Sequence, residues 1–151
     1  MESVVKRCCV AISLLMAISV SFGAVANESA QKLGVCMSDS LNGKERKKLA
    51  KWVYLGMSAH STIQPYSNFT EKDVDESNKY LGALVTRLLT EDCPDLAKSA
   101  LQEGGSQAFE HAFGVVGQVA MQEIMAESSV SQSLAAFEKY LDQEKFNSVF
   151  N

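Results

Sequence analysis

The sequence predicts an all-α protein, and three of its features lead to that prediction. Its 151 residues include only two prolines and nine glycines, so long stretches lack a residue that would interrupt a helix. Apolar residues recur at three- and four-residue spacing along most of the chain after residue 43, as on one face of a helix. The apolar share of 46% and the charged share of 21% are typical of a folded globular domain. We therefore expect a small bundle of four main helices plus one short helix, with one disulfide, in a single domain over residues 27–151.

The first 26 residues have the order of a secretory signal peptide. Lys6 and Arg7 form a basic start, residues 8–20 are almost wholly apolar, and residues 24–26 are the small residues that signal peptidase requires. An uncleaved membrane anchor is the alternative, but this apolar run is shorter than the roughly 20 residues that span a bilayer. We therefore expect residues 1–26 to be removed from an exported protein that keeps no transmembrane span. Its location would be periplasmic in a bacterium and secreted elsewhere.

Two cysteines remain after the signal, Cys36 and Cys93. In an oxidising compartment such a pair is usually bridged, whereas a redox-active pair normally lies close together as C-x-x-C. A catalytic or metal-binding role is the alternative to a structural bridge. We predict one structural disulfide, which closes a loop of 57 residues and contributes about 4 kcal/mol in the chain-entropy model.

The first predicted elements are a tether and a helix. Residues 27–42 read as a tether or short helix with a break at Gly34. The first main helix covers residues 44–60, because Asn42 and Glu45 have the spacing of a capping box. Its apolar face is predicted to carry Leu49, Trp52, Val53, Gly56, Met57 and His60.

The next three helices are bounded by caps and breakers. Thr70 caps a helix that runs to about residue 90, with carboxylates in its opening turns, where they favour the helix dipole. A short helix over residues 94–103 starts on a proline and stops at Gly104-Gly105. Residues 107–126 form a helix that is apolar nearly all round, which predicts a position in the middle of the bundle.

The last helix opens at Ser129, which has a glutamine three residues later at capping-box spacing. A stripe of apolar residues then marks the face that we expect to be buried. That stripe consists of Leu134, Phe137 and Leu141. Phe146, Val149 and Phe150 are predicted to form a final turn that folds back on the core.

Two ionisable residues fall on predicted inward faces, His60 at the end of the first main helix and Glu123 on the central helix. If they met, they would have shifted pKa values and could transfer protons, as a hydrolytic enzyme requires. The alternative is that both reach water at the ends of the bundle. His111 projects away from the apolar face and is expected at the surface.

Four lysines share the outer face of the first main helix: Lys44, Lys47, Lys48 and Lys51. A lysine in the first turn opposes the helix dipole, which hints that the charge is used for binding. A simply solvated face is the alternative. After signal cleavage the net charge would be −5, since Glu2, Lys6 and Arg7 are lost from a chain of charge −4. Binding to nucleic acid is not expected, because it requires a concentrated basic surface.

Metal and cofactor sites find no support in the sequence. The spacings of zinc sites, C-x-x-C and H-x-x-x-H, are not present in residues 27–151. We therefore predict that the protein uses no metal and no cofactor.

Four glycines lie inside predicted helices: Gly56, Gly82, Gly114 and Gly117. Each costs up to about 1 kcal/mol against alanine, which predicts either close approach between helices or a cleft for an apolar ligand. The sequence thus favours a non-enzymatic exported protein that binds a partner protein or a small apolar molecule. A hydrolytic enzyme built on His60 and Glu123 is the alternative, and the oligomeric state stays open.

Overall fold

The structure, a computed structural model, describes the backbone of residues 21–150 and the side chains of residues 27–150. Over that range the protein is all-α, without a β-strand, as predicted. Six α-helices replace the predicted four main helices and one short helix. They are α1 Ser21–Asp39, α2 Gly43–Met57, α3 Glu71–Arg87, α4 Pro94–Met125, α5 Ser128–Ala135 and α6 Gln143–Phe150. Most of the predicted signal lies outside the described residues, and the domain boundary after residue 26 stays a prediction.

Helix α1 is a central part of the core. Of the two alternatives predicted for residues 27–42, a tether or a short helix, the structure has a helix, which ends at Asp39. Ala30, Leu33 and Met37 recur at helical spacing and are almost completely buried. They pack mainly against α4, which is the most extensive contact between any two helices of the described chain. The predicted central position of residues 107–126 is confirmed, because α4 contacts α1, α2 and α5.

Gly34, predicted as a helix break, is the point of closest approach between α1 and α4. A Cβ atom at this position would lie 2.7 Å from the Cβ of Val115 and 3.0 Å from the carbonyl oxygen of Ala112. Real Cβ atoms do not approach other carbons so closely, and only glycine therefore fits here. The facing surface of α4 is also made of small buried residues: Ala100, Ala108, Ala112 and Ala120.

The four glycines inside the other helices do not mark close contacts. A Cβ built on Gly56, Gly82, Gly114 or Gly117 would meet no atom within 4 Å. The expectation that they allow neighbouring helices to approach is therefore wrong.

The predicted disulfide is confirmed. Cys36 and Cys93 are bonded, with their Cα atoms 6.2 Å apart. The bond joins the last turn of α1 to the residue before α4. Gly34, two residues before Cys36, contacts Val115 in the second half of α4. Helix α1 therefore packs against both halves of α4. The halves meet at Gly105, whose φ of 57° interrupts the helix at the predicted glycine pair.

Of the predicted N-terminal caps, those at Asn42 and Thr70 are present. The predicted cap at Ser129 is wrong, because α5 begins at Ser128 after Glu127 and its start has no side-chain cap. The Asn42 side chain accepts a hydrogen bond from the Glu45 N–H at 3.0 Å, and Glu45 accepts one from the Asn42 N–H at 2.9 Å. Thr70 and Asp73 form the same reciprocal pair at the start of α3. Helix α2 ends at Met57, three residues earlier than predicted. Helix α3 continues into a π-helical turn, Leu88–Asp92.

Residues 127–150, here called the C-terminal arm, leave the core. Within the described chain, α5 contacts α4 and the 3₁₀ turn Ala136–Tyr140, whereas α6 contacts no other helical element. Phe146, Val149 and Phe150 are 43%, 73% and 75% exposed. The prediction that these three residues fold back on the core is wrong.

Candidate functional site

A partly buried ion pair joins α2 to α3. Arg87 donates from Nη1 to Oε1 of Glu45 at 2.8 Å and from Nη2 to the carbonyl of Ser40 at 3.4 Å. The π-helical turn brings Asp92 back toward the same guanidinium, where its Oδ2 lies 3.0 Å from Arg87 Nε. The angle at this nitrogen does not suit a hydrogen bond, so the contact is an ion pair only.

The charge state of Glu45 follows from its partners. Burial acts to raise the pKa of this carboxyl group, but the hydrogen bonds from the Asn42 N–H and from Arg87 outweigh burial. The pKa of Glu45 is therefore lowered from its ordinary value. Hydrogen bonds to the charged form favour an ionised carboxylate, so this group stabilises the fold in its charged form.

His60 lies outside α2, in the exposed turn that follows it. Its Nδ1 accepts a hydrogen bond from the Thr62 N–H at 3.2 Å. The expected position on the buried face is wrong because α2 ends at Met57. Glu123 is partly exposed near the end of α4, and no hydrogen bond joins it to His60 in the part of the chain that is described. A catalytic role for the pair stays an untested prediction.

The lysine face, Lys44, Lys47, Lys48 and Lys51, is exposed as predicted. Two of its members have partners on α3. Lys48 Nζ lies 3.8 Å from the centre of the Tyr80 ring, and Lys51 Nζ lies 3.9 Å from a carboxylate oxygen of Asp73. Lys44 and Lys47 form no ion pair with any described residue, so their charges are open to a partner.

Tyr54 extends the lysine face toward the end of α2. Positions 44, 47, 51 and 54 follow three- and four-residue spacing and therefore share one side of the helix. Tyr54 is 45% exposed. The turn after α2 adds two further exposed residues, Ile63 and Tyr66. Exposed apolar residues thus occur both on α2 and in the turn that follows it.

Two clefts of the described surface are open to solvent. One has a volume of about 540 Å³ and lies between α1 and α4. Its lining consists of Gln31, Gln107, Glu110, His111, Gly114, Val115 and Gln118. A smaller cleft of about 140 Å³ adjoins Lys48 and Tyr80. Sites for apolar small molecules are enclosed and lined mainly by hydrophobic side chains, which neither cleft provides.

In the C-terminal arm, large apolar side chains are exposed one after another along the chain. Leu134, Phe137 and Tyr140 are 56%, 60% and 79% exposed, ahead of the exposed residues of α6. In α6, Phe146 and Phe150 stack one turn apart, with their ring centres 5.8 Å from each other. Apolar residues scattered singly over a surface need no explanation, but a series of them along one segment makes that segment a candidate interaction site.

The structure also places limits on other kinds of site. No helix in the described range is long and apolar enough to cross a membrane. Among residues 27–150, no group of three or more His, Cys, Asp or Glu side chains could hold a metal ion. Comparison with known protein families, with curated proteins and with solved structures finds no match to this chain.

Sequence reasoning missed the arm as a candidate site because its aromatic residues were assigned to the core. One signal could have revealed it. Four of the six residues from 128 to 133 are serines, so the apolar stripe begins only after a segment with little to bury. Such a segment fits a helix that extends from the core.

Proposed function

We propose that the protein is an exported, non-enzymatic binding protein whose C-terminal arm captures a partner protein. The observation that carries this proposal is the exposure of the arm's aromatic residues on helices that the core does not cover. The export part rests on the signal-like pattern of residues 1–26. The disulfide fits it, because such bonds persist in oxidising compartments.

A protein partner suits the arm better than a small apolar ligand. Phe146, Val149 and Phe150 occur at the i, i+3 and i+4 positions of α6, which is the spacing of a helix that lies in a groove of another protein. The clefts described above are open to solvent. A small apolar molecule would therefore stay in contact with water.

A protein partner also suits the arm better than a lipid surface. Amphipathic helices that lie on membranes carry many lysines and arginines on their polar face. The arm has four carboxylates, Glu127, Glu138, Asp142 and Glu144, against two lysines. Its net negative charge would oppose binding to anionic lipid.

Photo-crosslinking in the native host tests this proposal. A photoreactive amino acid placed at Phe137 or Phe146 should give a discrete adduct with a protein. The matched control places it at Gln132, which lies on the polar side of α5 within the same arm. Phe150→Ser should remove the adduct formed from position 146, since the two rings lie 5.8 Å apart on α6. Equal adducts from both sides of the arm, or no adduct at all, would contradict the proposal.

A further inference from the structure

We infer that the arm's partner is a second copy of this chain, and that each arm docks along the lysine face of the other copy. This inference rests on the proposed function and names the occupant of the arm. Both halves of the interface are present on one chain: an acidic, aromatic arm and a basic, aromatic receiving surface. The receiving surface consists of the lysine face together with Tyr54, Ile63 and Tyr66.

The charges of the two surfaces are complementary. In the arm, Glu127, Glu138 and Glu144 form no ion pair with any residue in the described range. On the receiving surface, Lys44 and Lys47 are likewise without an anionic partner there. Oppositely charged surfaces steer association and set the register of an interface. Docking of a second copy would place the carboxylates of the arm beside the lysines of the receiving surface.

The apolar parts of the two surfaces also match in chemistry. Phe137 and Tyr140 of the arm can meet the exposed Tyr54 and Tyr66 of the receiving surface. Aromatic rings also attract lysine ammonium groups. The chain already uses this contact between Lys48 and Tyr80. An arm that presents aromatic residues beside carboxylates is therefore suited to a surface that presents lysines beside tyrosines.

The arm of one chain does not occupy its own receiving surface. The helices of the arm make no contact with α2, and within the described chain α5 contacts only α4 and the turn that follows α5. The receiving surface is therefore free for the arm of another copy. When two copies exchange arms, the same patch is used twice and the assembly closes as a symmetric dimer.

The area available is large enough for a stable dimer. The four aromatic side chains of one arm are 43–79% exposed. At about 200 Å² for a full aromatic side chain, they present on the order of 500 Å². Two arms and the surfaces that they cover would together bury roughly 2,000 Å², within the range of specific protein interfaces.

Sedimentation equilibrium of the protein, purified as its host makes it, tests the inference. We expect a dimer that dissociates on dilution and weakens in about 1 M salt, where charges are screened beyond about 3 Å. Phe146→Ser with Phe150→Ser should raise the dimer dissociation constant at least about tenfold. Leu101→Ser, at an exposed apolar residue of α4 outside both surfaces, is the matched control and should leave the constant unchanged.

Exchanging the charges of the arm and the lysine face tests where the arm docks. Lys44→Glu with Lys47→Glu, and separately Glu138→Lys with Glu144→Lys, should each weaken the dimer about tenfold. Mixing the two variants should restore a mixed dimer, because both of its arm contacts then pair opposite charges again. Glu91→Lys with Glu110→Lys makes the same change in net charge as the arm variant, at exposed positions outside both surfaces, and should have no effect. Circular dichroism of each variant checks that it is folded.

Three outcomes would overturn the inference. The protein could stay monomeric at every concentration, the dimer could survive the arm substitutions, or the mixed variants could fail to pair. The crosslinking experiment separates this failure from that of the proposed function. An adduct with a different protein, from positions 137 and 146 but not from 132, would overturn the second copy as partner and keep the arm as a binding element.

Discussion

The body of the molecule, residues 27–126, and its C-terminal arm use apolar residues in opposite ways. In the body, Leu33 and Met37 are 0% exposed, although α1 contains many small and polar residues. In the arm, Phe137 and Phe150 are 60% and 75% exposed, although the arm is richer in aromatic residues. The comparison shows that an apolar stripe becomes a core only where another helix is held against it.

Two features hold the helices of the body together. The disulfide ties the end of α1 to the start of α4, and Gly34 with the facing alanines lets the two helices approach closely. The arm follows Ala126 and has neither feature. Its apolar face is therefore left for another molecule, as the proposal requires.

The largest effect on the free energy of unfolding is expected from removal of the disulfide. Replacing Cys36 and Cys93 by serine opens a loop of 57 residues and should lower the free energy of unfolding by about 4 kcal/mol. Urea denaturation followed by circular dichroism measures this loss. Proteolysis of the arm should be unchanged, since the arm makes no use of the bond. A double variant as stable as the parent would show that the disulfide does not stabilise the body.

Identical truncations in the two regions give the sharpest contrast. Leu33→Ala removes a fully buried side chain and should cost about 3 kcal/mol of unfolding free energy. Leu134→Ala removes the same atoms from a side chain that is 56% exposed and should cost less than about 0.5 kcal/mol. Both are measured in dilute monomeric protein. Similar losses at the two positions would refute the distinction between body and arm.

Two glycine-to-alanine substitutions distinguish the effect of close helix packing on stability from the effect of helix propensity. Gly34→Ala should lower the free energy of unfolding by about 1–3 kcal/mol, because α1 must move away from Val115. Gly114→Ala, on the facing helix with no neighbour within 4 Å, should instead stabilise the protein by up to about 1 kcal/mol. Thermal denaturation of both variants measures the difference. The same sign at both positions would contradict the close approach.

The smallest effect on the stability of the body is expected from replacing Glu45, and this effect depends on pH. Glu45→Gln should lower the free energy of unfolding by about 1–2 kcal/mol at neutral pH, because Arg87 loses a charged partner. The pKa of Glu45 is lowered in the folded state, so its contribution is fully present above the ordinary value of 4.5. The contribution is lost as the pH falls below that value through the folded-state pKa.

Urea titrations of the parent and the Glu45→Gln variant at several pH values check this expectation. The difference in unfolding free energy between the two proteins should shrink as the pH drops below 4.5. A difference that is constant from neutral to acidic pH would show that the charge of Glu45 is not involved.

Much of the fold could be predicted because it depends on local rules. Asn42 and Thr70 cap their helices through side-chain bonds to residues three positions later, and the glycine pair before Ser106 interrupts α4. The pairing of Cys36 with Cys93 followed from the presence of only two cysteines after the predicted signal. None of these features depends on knowing which helices are neighbours.

The errors arose where tertiary neighbours decide the outcome. Gly34 lowers helix propensity on its own, but its lack of a side chain is what allows α4 to pack on α1. The arm was assigned to the core because Phe146 and Phe150 are apolar, although no helix is placed to receive them. His60 was placed one turn too far along α2, since Ser58 ends that helix without a proline or glycine signal.

Hydrogen exchange followed by mass spectrometry tests the central claim most directly. At a concentration where the protein is monomeric, amides of α1 and α4 should exchange slowly, and those of the arm should exchange close to the rate of an unprotected chain. When the protein is concentrated, protection should appear in the arm and along the lysine face together. An arm that is as strongly protected as α1 in the dilute monomer would show that it packs on its own body, and the account would be wrong.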